Sequence, residues 1–213
     1  MPAKYKSILS PRETEHAIVA IKDFFQLASS TELNLYRVTA PLFVESGTGI
    51  NDDLNGVERP VSFPVKDLNE KRMEIVQSLA KWKRLKITEL GLEPGFGIYT
   101  DMNALRPDEE LDALHSIYVD QWDWEVAIDE KDRTVFYLHD IVKKVYRCIK
   151  RCEFFLYDRY PALKPVLPPE IKILFSEDLQ EQYPNLTPKE REVKVTKQYG
   201  AVFITGIGGR LPD

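Results

Sequence analysis

The sequence predicts an α+β protein, in which an antiparallel sheet is flanked by helices, and two observations support this prediction. Segments of helical and of extended periodicity both occur, but they do not alternate regularly as they do in a doubly wound parallel sheet. Their order runs from a helix through strand hairpins to a long helix and a mixed tail. A length of 213 residues fits one domain, 1–213, more easily than two small ones.

Two long helices frame the predicted sheet. Ser10, Pro11 and Glu13 form a capping box with proline at the first helical position, and an apolar face then predicts a helix over 11–29. The longest periodic segment, 133–158, predicts the second. A shorter helix is expected from Ser78 onward.

Extended segments of β-branched and aromatic residues predict the strands. The first, over 35–44, is interrupted by Pro41, which places it at a sheet edge or a subunit contact. The others are a hairpin of 61–65 with 73–76, a pair near 98–106 and 116–123, a strand near 171–175 and a last strand at 201–207.

The overall composition is that of an ordinary soluble protein. Hydrophobic residues make up 43% of the chain and charged residues 30%, with a net charge of −5 and a pI near 5.4. This acidic balance disfavours nucleic acid as a partner, because phosphate contacts need a basic face. With neither a membrane-length apolar run nor a signal-peptide pattern, we expect no membrane association and a cytoplasmic protein.

The two cysteines predict reduced thiols. Cys148 and Cys152 lie four residues apart in a helical pattern, so they share a helix face without the geometry of a disulfide. Three histidines and two cysteines make a structural zinc site improbable.

One predicted strand carries polar side chains on a single face. At the period of two, Gln121 and Asp123 lie on one face, while Asp120, Trp122 and Trp124 lie on the other. Such a strand is suited to line a polar pocket. The alternative is an exposed strand whose carboxylates lie in water.

Five blocks of sequence, in order and at consistent spacing over nearly the whole chain, resemble the ammonia-dependent asparagine synthetases, or aspartate–ammonia ligases. The blocks are DDLNG at 52–56, QSLAKWKR at 77–84, NALRPDE at 103–109, HSIYVDQWDWE at 115–125 and GAVFITGIGG at 200–209. The resemblance implies a class II aminoacyl-tRNA synthetase-like catalytic fold, assembled as a homodimer with the 38–45 segment at the dimer contact. It also implies the reaction of L-aspartate, ammonia and ATP to L-asparagine, AMP and pyrophosphate through β-aspartyl-AMP, with Mg²⁺.

The resemblance also implies residue roles in catalysis and aspartate binding. Arg106 contacts the α-phosphate and the activated carboxylate. Lys83, with Ser78 nearby, binds the substrate carboxylates, and Gln121 and Asp123 bind the substrate, with Asp123 pairing with its α-ammonium group. These roles suit the chemistry, because an anionic phosphorus transition state calls for cations. A planar guanidinium binds phosphate through two parallel hydrogen bonds.

Two further sets of roles follow from the same resemblance. Asp52 closes over the β-carboxamide end, where an ammonium ion must be captured and deprotonated by a carboxylate. AMP is contacted by Arg106 and by the 114–119 block, at Leu114, Ser116 and Val119, partly through backbone groups. No metal ligand is identified in this part of the chain.

Each residue also has a structural alternative. Lys83 alone is more often a solvated helix lysine, Arg106 could join a surface ion pair with Asp108, and Asp52 could hold a turn. The segment 81–84 could form a small nucleic-acid patch. For the whole chain, the alternatives are a non-catalytic synthetase-like module that binds amino acid or nucleotide, and an enzyme that charges transfer RNA.

The family pattern continues beyond the point equivalent to Asp213, with acidic metal-binding residues and a second ATP-contacting arginine. The chain is therefore expected to cover about the N-terminal two-thirds of that pattern. By itself it is expected to bind ATP poorly and to turn over little.

Overall fold

The structure is a computed structural model that describes residues 6–52, 54, 56, 58–112 and 115–207. Its helices and strands follow the predicted order. They are α1 (Pro11–Leu33), β1 (Leu35–Arg37), β2 (Phe43–Glu45), β3 (Ser62–Val65), β4 (Lys71–Ile75), α2 (Ala80–Glu89), β5 (Gly97–Leu105), β6 (Tyr118–Val126), α3 (Val135–Arg159), β7 (Lys172–Phe175), α4 (Ser176–Gln182), α5 (Pro188–Tyr199) and β8 (Val202–Thr205).

The chain divides into two compact units. The central unit is Leu33–Asp132, and the flanking unit combines Met1–Glu32 with Arg133–Asp213. That these units form a single catalytic domain stays a prediction. Within the described ranges, no helix is long and apolar enough to cross a membrane.

The central unit contains two three-stranded sheets, in the orders β1-β5-β6 and β2-β4-β3. The predicted antiparallel pairing holds for β5 with β6 and throughout β2-β4-β3. The strand β1 instead pairs in parallel with β5, and in the flanking unit β7 pairs in parallel with β8. Long connections that include α2, and α4 with α5, separate these partners, and parallel pairing requires such crossovers.

The proline-containing segment forms two short strands rather than one. Pro41 falls between β1 and β2, because it has no N–H to donate to a ladder. The strand β2 lies at the edge of its sheet, as predicted. The turn between β3 and β4 includes a short 3₁₀ helix at Lys66–Leu68, where the hairpin was expected to reverse.

A small apolar core lies between α2 and the two sheets of the central unit. Val76, Leu79, Met102 and Ala104 are all at most 2% exposed and pack together, with Trp82 and Val119 among the partly buried residues around them. Met102 and Ala104 come from the same face of β5. This packing fixes which face of the β5–β6 hairpin is covered.

We predict that Gly97→Ala destabilises the central unit by about 1–3 kcal/mol, as overpacking typically does. Gly97 begins β5 between β1 and β6, and a Cβ added there would lie 2.2 Å from the carbonyl oxygen of Glu125 and 2.9 Å from Leu35 Cδ2. The first atom is backbone and cannot rotate away. Urea unfolding measures the change, and Gly91→Ala, at a positive φ but with nothing within 4 Å, separates strain from collision.

In the flanking unit, α1 continues to Leu33 and does not end at Ser29 and Ser30 as predicted. Their hydroxyl groups donate back to the carbonyl oxygens of Phe25 and Leu27 within the same helix, at 2.7 and 3.2 Å. Serine satisfied in this way is tolerated inside a helix. The N-terminal prediction is confirmed, because Ser10 Oγ accepts from the Glu13 N–H at 3.3 Å and Glu13 Oε2 accepts from the Ser10 N–H at 2.9 Å.

The helix α3 packs on the rest of the flanking unit through aromatic and polar contacts. Phe155 stacks on Phe24 at a centroid distance of 4.2 Å. Glu153 accepts hydrogen bonds from the N–H groups of Val166 and Leu167, at 2.8 and 3.1 Å, and so holds the proline-rich loop on α3.

Both cysteines of α3 are free, as predicted, and both are buried. Cys148 is 1% exposed and Cys152 is 5% exposed. Burial raises the pKa of both thiols, that of Cys152 to about 11 with a further contribution from the neighbouring Cys148. They are therefore protonated at neutral pH and serve as small apolar side chains.

Candidate active site

A buried ion pair joins α2 to β6 in the central unit. The Lys83 side chain is 0% exposed, and its Nζ pairs with Asp123 Oδ1, whose side chain is 20% exposed. The second carboxylate oxygen, Asp123 Oδ2, is also buried and has no hydrogen-bond partner among the described residues. A lysine is almost never fully buried without such a partner. Hence this pair is a specific feature of the site and not a solvated surface contact.

The β5–β6 register sets Gln121 and Asp123 side by side on the covered face. Asp123 lies opposite Thr100, and Gln121 lies opposite Met102. Thr100 and Met102 are at most 2% exposed. The Gln121 amide donates to Met102 Sδ at 3.7 Å, a weak acceptor, and keeps most of its hydrogen-bonding capacity. The predicted shared face of Gln121 and Asp123 is thus confirmed.

Arg106 follows directly after β5, at the same end of the hairpin as Val119. Its backbone N–H donates to the Ile117 carbonyl at 2.8 Å, which extends the β5–β6 ladder by one step. Its Nε is buried and has no hydrogen-bond partner among the described residues. A buried, unpartnered guanidinium donor is costly, so it indicates a position suited to an anionic ligand.

Asp52 is engaged at the N-terminus of α2. Its Oδ2 accepts from the Ser78 hydroxyl at 3.2 Å and from the Ala80 N–H at 3.1 Å, and its Oδ1 lies 3.2 Å from Lys81 Nζ. The N-cap residue, Leu79, has no side-chain acceptor of its own, so Asp52 caps the helix from a distant loop. A carboxylate there also interacts favourably with the helix dipole.

Asn51 fixes the loop that carries Asp52. Its Oδ1 accepts from the Gln77 N–H at 2.8 Å, and its Nδ2 donates to the Ile75 carbonyl at 3.3 Å. The same Nδ2 lies 3.4 Å from a carboxylate oxygen of Glu74. Gln77 is 1% exposed. The loop is therefore attached to the end of β4 by the half-buried side-chain amide of Asn51.

A second carboxylate anchors the turn that follows Arg106. Asp108 Oδ2 accepts from the Arg59 N–H at 2.7 Å, and the Arg59 Nε lies 3.1 and 3.2 Å from the two carboxylate oxygens. The Arg59 side chain is 82% exposed and that of Asp108 is 23% exposed. Hydrogen bonds from the Arg59 side chain and backbone lower the pKa of Asp108 to about 2. Asp108 is therefore charged throughout the neutral range.

The residues expected to contact AMP differ in their surroundings. Val119 lies opposite Ala104 and packs on the apolar core, while Ser116 is exposed. Leu114 lies outside the described residues. The roles of all three stay predictions.

The structural alternatives for the site residues are mostly excluded by these contacts. Asp123 is not a strand carboxylate in water, Lys83 is not a solvated lysine, and Asp108 pairs with Arg59 rather than with Arg106. The segment 81–84 is not a free basic patch, because Lys81 and Arg84 also pair with carboxylates. Only for Asp52 does a structural role, the helix cap, stand beside the expected functional one.

Metal ligands do not converge in the described ranges, where no group of three or more His, Cys, Asp or Glu residues is placed to hold an ion.

Sequence patterns missed the supporting residues Asn51, Arg59 and Gln77. Asn51 adjoins one resemblance block and Gln77 begins another, so their positions gave a weak signal. Arg59 had none, because its partner lies 49 residues away.

The fold of the chain is known from solved structures of other proteins. The chain superposes on asparaginyl-tRNA synthetase from Entamoeba histolytica with a TM-score of 0.60 and 12% identity, over 91% of this chain and 44% of that one. For asparaginyl-tRNA synthetase from Pyrococcus horikoshii, complexed with asparaginyl-adenylate, the TM-score is 0.58 at 13% identity, over 92% and 48%. The fold is therefore that of the class II aminoacyl-tRNA synthetases, as expected.

Sequence comparison narrows this class to one family. The family model described as aspartate–ammonia ligase matches residues 12–213. An aspartate–ammonia ligase of Bacteroides thetaiotaomicron is 57% identical over 100% of this chain and 61% of its own length, and one of Clostridium perfringens strain 13 is 53% identical over 99% and 63%. The chain belongs to the aspartate–ammonia ligase family, and it spans somewhat less than two-thirds of the length of these relatives.

Proposed function

We propose that this chain carries the aspartate- and ATP-binding residues of a ligase that forms L-asparagine from L-aspartate and ammonia. The single observation that supports this most is the buried Lys83–Asp123 pair on the strand face that also presents Gln121. Family membership gives the reaction class, and the site supplies a cation, an anion and an amide where an amino acid needs them.

Aspartate is recognised by an exchange of partners. Free aspartate presents one ammonium group and two carboxylates, and the buried pair contains the complementary charges. The substrate ammonium group takes the Asp123 carboxylate, whose Oδ2 has no described partner, while Lys83 turns to a substrate carboxylate. Gln121 adds an amide that both donates and accepts. Because the pair neutralises itself in the free protein, neither charge is left buried alone before the substrate arrives.

Arg106 acts on the phosphate. The side-chain carboxylate oxygen of aspartate attacks the α-phosphorus of ATP, an O–P bond forms, and the bond to pyrophosphate breaks. Negative charge is spread over the phosphoryl oxygens during this step, and the Arg106 guanidinium stabilises it with donors that are already in place. Its buried Nε, which has no hydrogen-bond partner in the part of the chain that the structure describes, supports this role.

Asp52 acts on the nucleophile. An ammonium ion cannot attack the aspartyl–AMP anhydride until it loses a proton, and a carboxylate is a suitable acceptor. Ammonia then attacks the β-carbonyl carbon and AMP leaves. Asp52 must first exchange its bonds at the start of α2 for the incoming ammonium ion, with Ser78 as its near neighbour.

The proposed function also involves a metal ion that accompanies ATP, a second copy of the chain and a cellular location. ATP enters as its Mg²⁺ complex. We propose a homodimer with the 38–45 segment at the contact, since β2 lies at a sheet edge. A cytoplasmic location completes the proposal.

The experiment uses L-aspartate labelled with ¹⁸O in the side-chain carboxylate, together with ATP, Mg²⁺ and an ammonium salt. The intact gene product is expected to form asparagine and AMP in equal amounts, with one ¹⁸O atom transferred to AMP. ADP and inorganic phosphate in place of AMP would contradict the adenylate route. Formation of neither product would contradict the ligase.

A further inference from the structure

The turn after Arg106 is attached at both of its ends, and the two attachments differ in kind. At Arg106 the backbone N–H continues the β5–β6 ladder to Ile117. Two residues later, Asp108 is held by Arg59 through one backbone and several guanidinium contacts. The Glu109 N–H closes the turn by donating to the Arg106 carbonyl at 3.3 Å, and Pro107 restricts the backbone further.

The Arg59–Asp108 pair has more directional contacts than its small contribution to stability would require. An ion pair with one partner 82% exposed adds little to stability. Yet the carboxylate receives a two-pronged guanidinium and a backbone N–H together, an arrangement that fixes direction as well as distance. Such a pair suits the positioning of a neighbouring group better than the stabilisation of a fold.

The segment that carries Arg59 is itself tied to the rest of the site. The buried side chain of Gln77 reaches the Arg59 carbonyl at 3.5 Å, and the Gln77 N–H is held by Asn51 at 2.8 Å. Arg59 therefore connects the turn of Arg106 with the loop of Asp52.

We propose that Arg59 is a positioning residue for ATP. Its ion pair and hydrogen bonds with Asp108 hold the 106–109 turn, so that the Arg106 guanidinium stays at the phosphate site. This inference rests on the proposed function, in which Arg106 binds the α-phosphate. Arg59 itself touches no reacting atom. Its contribution is to hold the buried Nε of Arg106 in position before the ligand arrives.

Arg59→Ala in the intact gene product tests the inference in two ways. Amide hydrogen exchange at 106–109 is expected to speed up about tenfold, because the turn loses its side-chain anchor. The KM for ATP is expected to rise about tenfold, while the KM for ammonium changes less than about twofold. Lys131→Ala is the matched control, since Lys131 forms an exposed pair with Asp129 at 3.2 Å in the same unit. It should leave exchange at 106–109 and the KM for ATP unchanged.

Two more variants separate positioning from charge. Arg59→Lys keeps the positive charge but lacks the planar guanidinium with its two parallel donors. Its KM for ATP is therefore expected to lie between those of the wild type and Arg59→Ala. The double variant Arg59→Ala, Asp108→Asn is expected to have the same KM for ATP as Arg59→Ala alone. The two substitutions remove the same contact, so their effects do not add.

The outcomes separate the inference from the function on which it rests. Wild-type exchange at 106–109 in Arg59→Ala, or an equal rise in KM for all three substrates, would overturn the positioning role and leave the ligase standing. Absence of ATP turnover in the wild type would overturn the proposed function. The exchange measurement would then decide by itself whether Arg59 holds the turn.

Discussion

Lys83→Met is expected to lower the free energy of unfolding by about 2–4 kcal/mol, somewhat less than the ~3–5 kcal/mol that breaking a fully buried ion pair costs. The Lys83 side chain is 0% exposed, and its removal leaves the Asp123 carboxylate, 20% exposed, without its cation. The partial exposure of Asp123 moderates the cost through solvent screening. Urea unfolding, monitored by tryptophan fluorescence, measures the change.

The double variant Lys83→Met, Asp123→Leu decides the cause. With both charges removed, most of the lost stability is expected to return, because apolar residues of similar size often replace a buried pair without loss. Lys131→Met removes an exposed pair and is expected to change stability by less than about 0.5 kcal/mol. A double variant less stable than Lys83→Met would show that packing, not the orphaned charge, sets the cost.

Arg106→Ala is expected to lower kcat/KM for ATP by about a thousandfold, equivalent to about 4 kcal/mol of transition-state stabilisation. Because its Nε has no described hydrogen-bond partner, the change should leave the unfolding midpoint close to that of the wild type. Steady-state formation of AMP, measured beside urea unfolding, separates the two effects.

Arg106→Lys is the matched variant for this prediction. It keeps the charge and loses the planar donors, so it is expected to recover only part of the rate. A kcat/KM of Arg106→Ala within about tenfold of the wild type would contradict the phosphate role. So would a loss of unfolding free energy as large as the loss of transition-state stabilisation, both expressed in kcal/mol.

Local patterns were sufficient to predict the order of the helices and strands and the residues that share one face of the site. The alternation of residues on β6 placed Gln121 and Asp123 together, and the register opposite Met102 and Thr100 confirms it. The capping box at Ser10 located the start of α1 correctly.

Contacts between distant segments could not be predicted from those patterns. Nothing in the spacing of Lys83 and Asp123 signals their pairing, because helix and strand periodicities describe only which face a residue occupies. The end of α1 was missed because Ser29 and Ser30 are turn formers in most settings, yet here their hydroxyl groups bond within the helix. The capping of α2 by Asp52 depends on a loop that reaches a separate element.

The burial of both natural thiols makes the molecule suitable for site-specific labelling. Cys148 and Cys152 are the only cysteines in the sequence, and their raised pKa values and low exposure protect them from a maleimide dye at neutral pH. A cysteine introduced at Leu111, which is 62% exposed and follows the Arg106 turn, should therefore react alone. Fluorescence from a dye at that position would report the environment of the turn in real time, with the native cysteines left unchanged.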